Sequence, residues 1–170
     1  MAKKISLREF QETLVKRLTT AQQGQTTHAA LGVQAGREYW LLDLTESGEI
    51  IPTPPLSHVP LTQPWFRGLA NIRGSLYSVV DFAAFQGGEP TPASAESRLL
   101  LVGARLGLNS AILVTRALGL RNMDEFEPAD RKDESRPWVG DAFVDLQGRP
   151  WNKLLVRNLV MQPRFLDVGI

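Results

Sequence analysis

Glycine and proline cut this chain into short pieces, and that punctuation limits what it can fold into. Its 170 residues carry 14 Gly and 11 Pro. Between them lie apolar runs of strand length, among them Leu76 to Val80, Leu99 to Val102 and Ala111 to Val114. Such runs, bounded by turn residues, read as strands. Many short strands with Gly and Pro turns point to an all-β barrel or sandwich rather than a parallel α/β sheet. The length fits one domain, or two small subdomains sharing a core. No tandem repeat at a fixed period is visible.

The exception to the strand pattern is residues 6–23, which predict a helix. Ser6 and Glu9 stand as a capping box, and Ile5 and Phe10 as a hydrophobic staple. Leu7, Phe10, Leu14, Leu18 and Ala21 make one apolar stripe at helical spacing. Lys16 and Arg17 suit the C-terminal half, and Gly24 the stop. Strands then follow. Ala30 to Ala35 and Glu38 to Leu44 flank Gly36-Arg37 as a hairpin. Pro52, Pro54, Pro55 and Pro60 make 52–64 a stiff loop. Gln86 to Ser97 is expected as an exposed loop. Arg98 to Leu106 and Asn109 to Thr115 read as partner strands across a turn with Gly107. The charged window 122–136 reads as a mobile surface loop with one helical turn. Trp138 to Leu146 resumes strand character, Leu154 to Val160 reads as a short closing helix, and Phe165 and Leu166 as a tail anchor.

Catalytic patterns are missing. There is no cysteine, which excludes disulfides, thiolate metal sites and a Cys nucleophile. His28 and His58 fall in loops without ligand spacing. No nucleophile elbow, phosphate loop or dinucleotide fingerprint occurs. Asp43, Asp81, Asp141 and Asp145 are scattered, and two of them meeting as an acid–base pair would be needed for a small β-barrel enzyme. A net charge of +1 gives no electrostatic footprint for nucleic acid. Trp40, Trp65, Trp138 and Trp151 are dispersed, without a basic stripe for base stacking. No cofactor is implied. No apolar run nears the ~18 residues of a membrane helix, and no signal peptide follows Lys3-Lys4. A cytoplasmic protein is expected, without direct membrane insertion.

One segment points to a partner. Pro64 to Gly88 reads PWFRGLANIRGSLYSVVDFAAFQGG. Gly68 and Gly74 allow a positive φ or a close backbone approach. Leu76, Ser78 and Val80 would face one side of a strand, and Tyr77, Val79 and Asp81 the other. Arg73 sits beside Gly74, where a turn can hold it.

This segment resembles the central signature of the CheW family, bacterial chemosensory adaptors: Trp65-Phe66, Gly68, Asn71-Ile72-Arg73-Gly74, then Leu76 to Val80 before Asp81. The likeness extends over roughly residues 30 to 160, and within the family it looks most like the branch serving type IV pilus twitching motility. The resemblance implies a mainly β fold of two intertwined five-stranded SH3-like barrels around one core, with added N-terminal and C-terminal helices. It implies a helical extension over 1–28, the CheW-like domain over 29–162 and a tail over 163–170. It implies a non-enzymatic adaptor that couples the cytoplasmic tip of a methyl-accepting chemoreceptor to the regulatory domain of a CheA-type histidine kinase. Arg73 would pair with Glu49 beside Asn71. Ile72, Gly74 and the strand from Leu76 to Val80 would line a receptor groove, and Leu42, Leu44 and Ile51 an apolar patch for the kinase.

Overall fold

The computed structural model describes residues 8, 11–12, 29–102 and 104–170. The helix expected over 6–23 lies outside them except for Arg8, Gln11 and Glu12. These three are helical, and Arg8 and Glu12 form an ion pair one turn apart at 3.6 Å.

Eleven strands follow among the described residues: β1 (Ala29–Ala35), β2 (Glu38–Asp43), β3 (Glu49–Pro52), β4 (Phe66–Ile72), β5 (Ser75–Asp81), β6 (Arg98–Val102), β7 (Ser110–Val114), β8 (Arg116–Asn122), β9 (Glu127–Ala129), β10 (Val139–Val144) and β11 (Pro150–Leu154). They form two sheets. One has the order β8-β1-β2-β11-β10-β9, and the other β3-β6-β7-β5-β4. The chain opens the first sheet with β1 and β2, leaves to build the whole of the second, and returns at β8. That excursion intertwines the two units. Parallel pairing of β2 with β11 and of β5 with β7 ties distant segments together, and all other neighbours are antiparallel. The first unit has six strands where five were expected, because the three-residue β9 extends it.

Both faces are buried at the central strands of each sheet, and this explains the continuous apolar runs. Successive side chains in a strand point to opposite faces. From Leu99 to Val102, Leu100 and Val102 enter a core shared by the two sheets, while Leu99 and Leu101 enter a cluster private to the second sheet. The first sheet divides its side chains in the same way. Val33, Trp40 and Leu42 go to the shared core, and Ala30, Leu41 and Trp151 to a private cluster with Phe126. Burying one such aliphatic or aromatic side chain contributes roughly 1.5–3 kcal/mol. A strand with two buried faces collects that contribution at every position.

Several elements differ from the sequence reading. Strand character from Arg98 stops at Val102, and a 3-10 turn occupies Ala104–Leu106. Phe82–Phe85 is a single helical turn capped by Asp81. Residues 122–136 are not a free loop. Phe126 is buried in the first sheet's cluster, and β9 pairs with β10. Arg136 donates to Glu38, Gln86 and Asp133, pinning the segment to β2 and to the end of the 82–85 helix. The closing helix spans Val156–Val160, a further turn spans Pro163–Leu166, and Phe165 reaches the shared core.

A candidate partner-docking site

The signature segment builds β4, β5 and the turn between them. Ile72 pairs with Ser75, so Arg73 and Gly74 alone make the turn. Their φ angles are 53° and 85°. Positive φ at both central residues is the type I′ geometry that matches the twist of the flanking strands. Glycine adopts it freely, whereas an arginine there occupies a sparsely populated region. Local bonds hold the conformation. The Asn71 Oδ1 accepts a hydrogen bond from the Gly74 N–H at 3.0 Å, and the Arg73 guanidinium donates to Glu49 Oε2.

That ion pair says something about the sheet. Glu49 begins β3, and Arg73 directly follows β4. These strands are the two opposite edges of the five-stranded order. The sheet therefore curls until its edges meet, as a small barrel must. A bridge between Ser57 and Leu69 closes the same seam. Gly68 permits it: its φ is 116°, and a Cβ there would lie 2.1 Å from the Ser57 carbonyl oxygen. The Arg73–Glu49 pair itself is open to solvent, with side chains 68% and 46% exposed. The hydrogen bond and charge of Glu49 push the Arg73 guanidinium pKa up further. Arg73 is thus a permanent, solvent-facing charge with a fixed direction.

Asp81 closes the segment in a different way. Its side chain is entirely closed to solvent. Oδ2 accepts from Arg67 at 3.0 Å and from the Thr91 N–H at 2.7 Å. Oδ1 accepts from the Thr91 hydroxyl at 2.8 Å and from the Ala84 N–H at 3.3 Å. Asp81 is a buried staple joining β5, the 82–85 helix and the following loop.

The structure separates the residues expected at the partner surface. Glu49, Asn71, Arg73, Gly74 and Leu76 gather at the exposed end of the β4–β5 hairpin, where Leu76 is 58% exposed. Ile72 is buried in the second sheet's cluster, and Val80 and Leu42 lie in the shared core. These three side chains offer no surface, because the double-faced burial of their strands turns them inward. Leu42, Leu44 and Ile51 do not form one patch. Leu44 packs on the shared core, and Ile51 on the second sheet's cluster. Several hollows occur among the described residues, and one groove lies between the sheets. It holds about 450 Å³ and is lined by Leu44, Glu46, Gly48, Leu101, Leu106, Val156 and Arg157, among others. Gly48, which lines the groove, directly precedes Glu49, the ion-pair partner of Arg73. The carboxylates Asp43 and Asp145 are also engaged. Asp43 pairs with Lys153 at 3.0 Å. Asp145 accepts from Gln147, Arg149 and Trp151; burial alone would raise its pKa, but these bonds outweigh it and the net shift is downward.

Residues 29–162 match the model of the CheW-like domain. The chain belongs to the CheW-like domain family. It is 25% identical over 159 residues to Protein PilI of Pseudomonas aeruginosa, covering 90% of this chain and 86% of that protein. Its fold is similar to the crystal structure of the scaffolding protein TtCheW from Thermoanaerobacter tengcongensis. That match has a TM-score of 0.65 at 17% identity and covers 81% of this chain and 94% of the other. In this CheW-like domain the family match spans both sheets, so it takes in the hairpin end and the inter-sheet groove together.

Proposed function

We propose that this CheW-like protein is a non-catalytic adaptor that couples a chemoreceptor to a CheA-type histidine kinase in the control of type IV pilus twitching motility. The observation that carries the reading is Arg73, an exposed charge fixed by its turn and by Glu49 at the end of the signature hairpin. Similarity to Protein PilI supports the pilus assignment. The hairpin end, with Asn71, Gly74 and Leu76, and the inter-sheet groove are the docking surfaces. The cytoplasmic tip of the receptor enters the groove. The regulatory domain of the kinase, itself CheW-like, packs barrel to barrel. The protein works in the cytoplasm and reaches receptor arrays through these partners. Among the described residues, no helix is long and apolar enough to cross a membrane.

The test is Arg73→Glu. The variant should fold normally and lose co-sedimentation with the receptor and kinase, because charge complementarity governs partner choice. If the variant still assembles the ternary complex, Arg73 is not at the interface.

A further inference from the structure

The inter-sheet groove is mostly apolar, yet it holds a carboxylate oxygen with no hydrogen-bond partner among the described residues. Glu46 lies in the tight connection between β2 and β3. Its own N–H and that of Ser47 both donate to the Asp43 carbonyl, at 3.0 and 2.9 Å, and the Ser47 hydroxyl donates to the Leu44 carbonyl at 3.1 Å. Gly48 follows with a φ of 59°, its Cα pressed so near the Leu101 carbonyl that a Cβ would lie 1.9 Å from the oxygen. The backbone carrying Glu46 is therefore fixed. Its side chain is half-buried, and Oε2 is closed to solvent and accepts no hydrogen bond among the described residues. Arg157 lines the same groove but is exposed, and makes no ion pair among the described residues. The fold thus holds an acid and a base in one groove without pairing them. A shielded charged acceptor left without a donor is unfavourable, and a donor delivered from outside relieves that penalty.

We propose that Glu46 is a specificity-determining residue of the groove, accepting a hydrogen bond from a lysine or arginine of the docked receptor tip. This rests on the adaptor reading above. Leu44 and Leu106, the partly exposed apolar residues of the lining, receive the apolar side chains of the occupant, and Glu46 selects occupants that place a cation between them. A partner segment with an apolar residue at that point would bury the carboxylate still unpaired, and is rejected for that reason.

The experiment uses the full chain, the purified cytoplasmic signalling fragment of the receptor that co-sediments with it, and the regulatory domain of the kinase. Glu46→Gln keeps the size and removes the charge. It should melt at or above the wild-type temperature, bind the receptor fragment about tenfold or more weakly, and bind the kinase domain as before. Glu46→Lys should abolish receptor binding, and reversing one basic residue at the receptor tip to Glu should restore it. Glu46→Gln binding of the receptor fragment within twofold of wild type overturns the inference and leaves the adaptor reading intact. An equal loss toward the kinase domain overturns it as well. A wild-type protein that binds neither fragment overturns the adaptor reading, and this inference with it.

Discussion

Asp81 ends the signature segment, but its surroundings assign it to the fold and not to a partner. Asp81→Ala removes the acceptor of four hydrogen bonds. Arg67, with only 28% of its side chain exposed, keeps its bond to the Thr91 carbonyl at 2.9 Å but loses its counter-charge. Deleting one partner of a buried pair costs about 3–5 kcal/mol. Loss of the N-cap on the 82–85 helix costs about 1 kcal/mol on its own, and the two losses overlap at the same carboxylate. A total near 4 kcal/mol lowers the melting temperature by roughly 8–16 °C for a chain of this size. Asp81→Asn keeps the volume but not the charge, and should cost about 2 kcal/mol. Urea unfolding followed by tryptophan fluorescence reads both values. Arg67→Met measured alone and in the Asp81→Asn background gives the coupling, which should be clearly non-additive. An Asp81→Ala variant within 1 kcal/mol of wild type would refute the staple. So would an Asp81→Asn variant that remains stable but no longer binds the receptor fragment.

The other expectations concern the β3 edge and the charged segment. Gly48→Ala, with its Cβ 1.9 Å from the Leu101 carbonyl oxygen and its φ in the left-handed region, should push β3 from β6 and carry Glu49 away from Arg73. A loss of about 3 kcal/mol or more is expected, together with weakened receptor binding in the remaining folded protein; a neutral melt would contradict the close approach. Asp133 is lowered from its ordinary 3.8 to about 2, first by the Ser135 hydroxyl and then by Arg136. The folded state therefore binds fewer protons than the unfolded state between these values. Its contribution is complete above about pH 4 and is lost as pH falls toward 2. Asp133→Asn should flatten the dependence of the urea midpoint on pH in that window and leave it unchanged above pH 5.

The parts of the fold that were legible in the sequence are those whose signal is local. Gly36-Arg37 between two apolar runs is a hairpin whatever surrounds it, and its strands pair in that register. The prolines of 52–64 forbid a long strand: β3 ends at Pro52, and beyond it only isolated bridges at Ser57 and Thr62 occur. The parts that were not legible depend on pairing at a distance. β8 carries Arg116, Gly119 and Asn122, which weaken any strand signal. It forms because β1 offers it an edge, where Gly32 admits Arg121 and Leu118 closely. β11 begins at a proline and includes Asn152 and Lys153; its parallel partner Trp40 lies far away in the chain. The helix at Phe82–Phe85 is one turn long, and its only marker, Asp81, also serves as the end of a strand. The groove draws on 44–48, 101–106 and 156–157, so no window of sequence contains it.

Arg73 and Asp81 stand eight positions apart in the same signature and illustrate two reasons for a charged residue to be where it is. Asp81 is buried and fully bonded, so stability alone accounts for it. Arg73 has no such account. A type I′ turn forms as well or better with Asn before Gly, and Asn71 already satisfies the Gly74 N–H. The left-handed backbone works against an arginine, and its ion pair is exposed on both sides, where such pairs add little to stability. What the pair does supply is direction: Glu49 holds the guanidinium at the seam where the barrel edges meet, with most of the Arg73 side chain still open to solvent. A residue that the fold disfavours in its place, and then orients with care, fits the docking role we propose for the hairpin end.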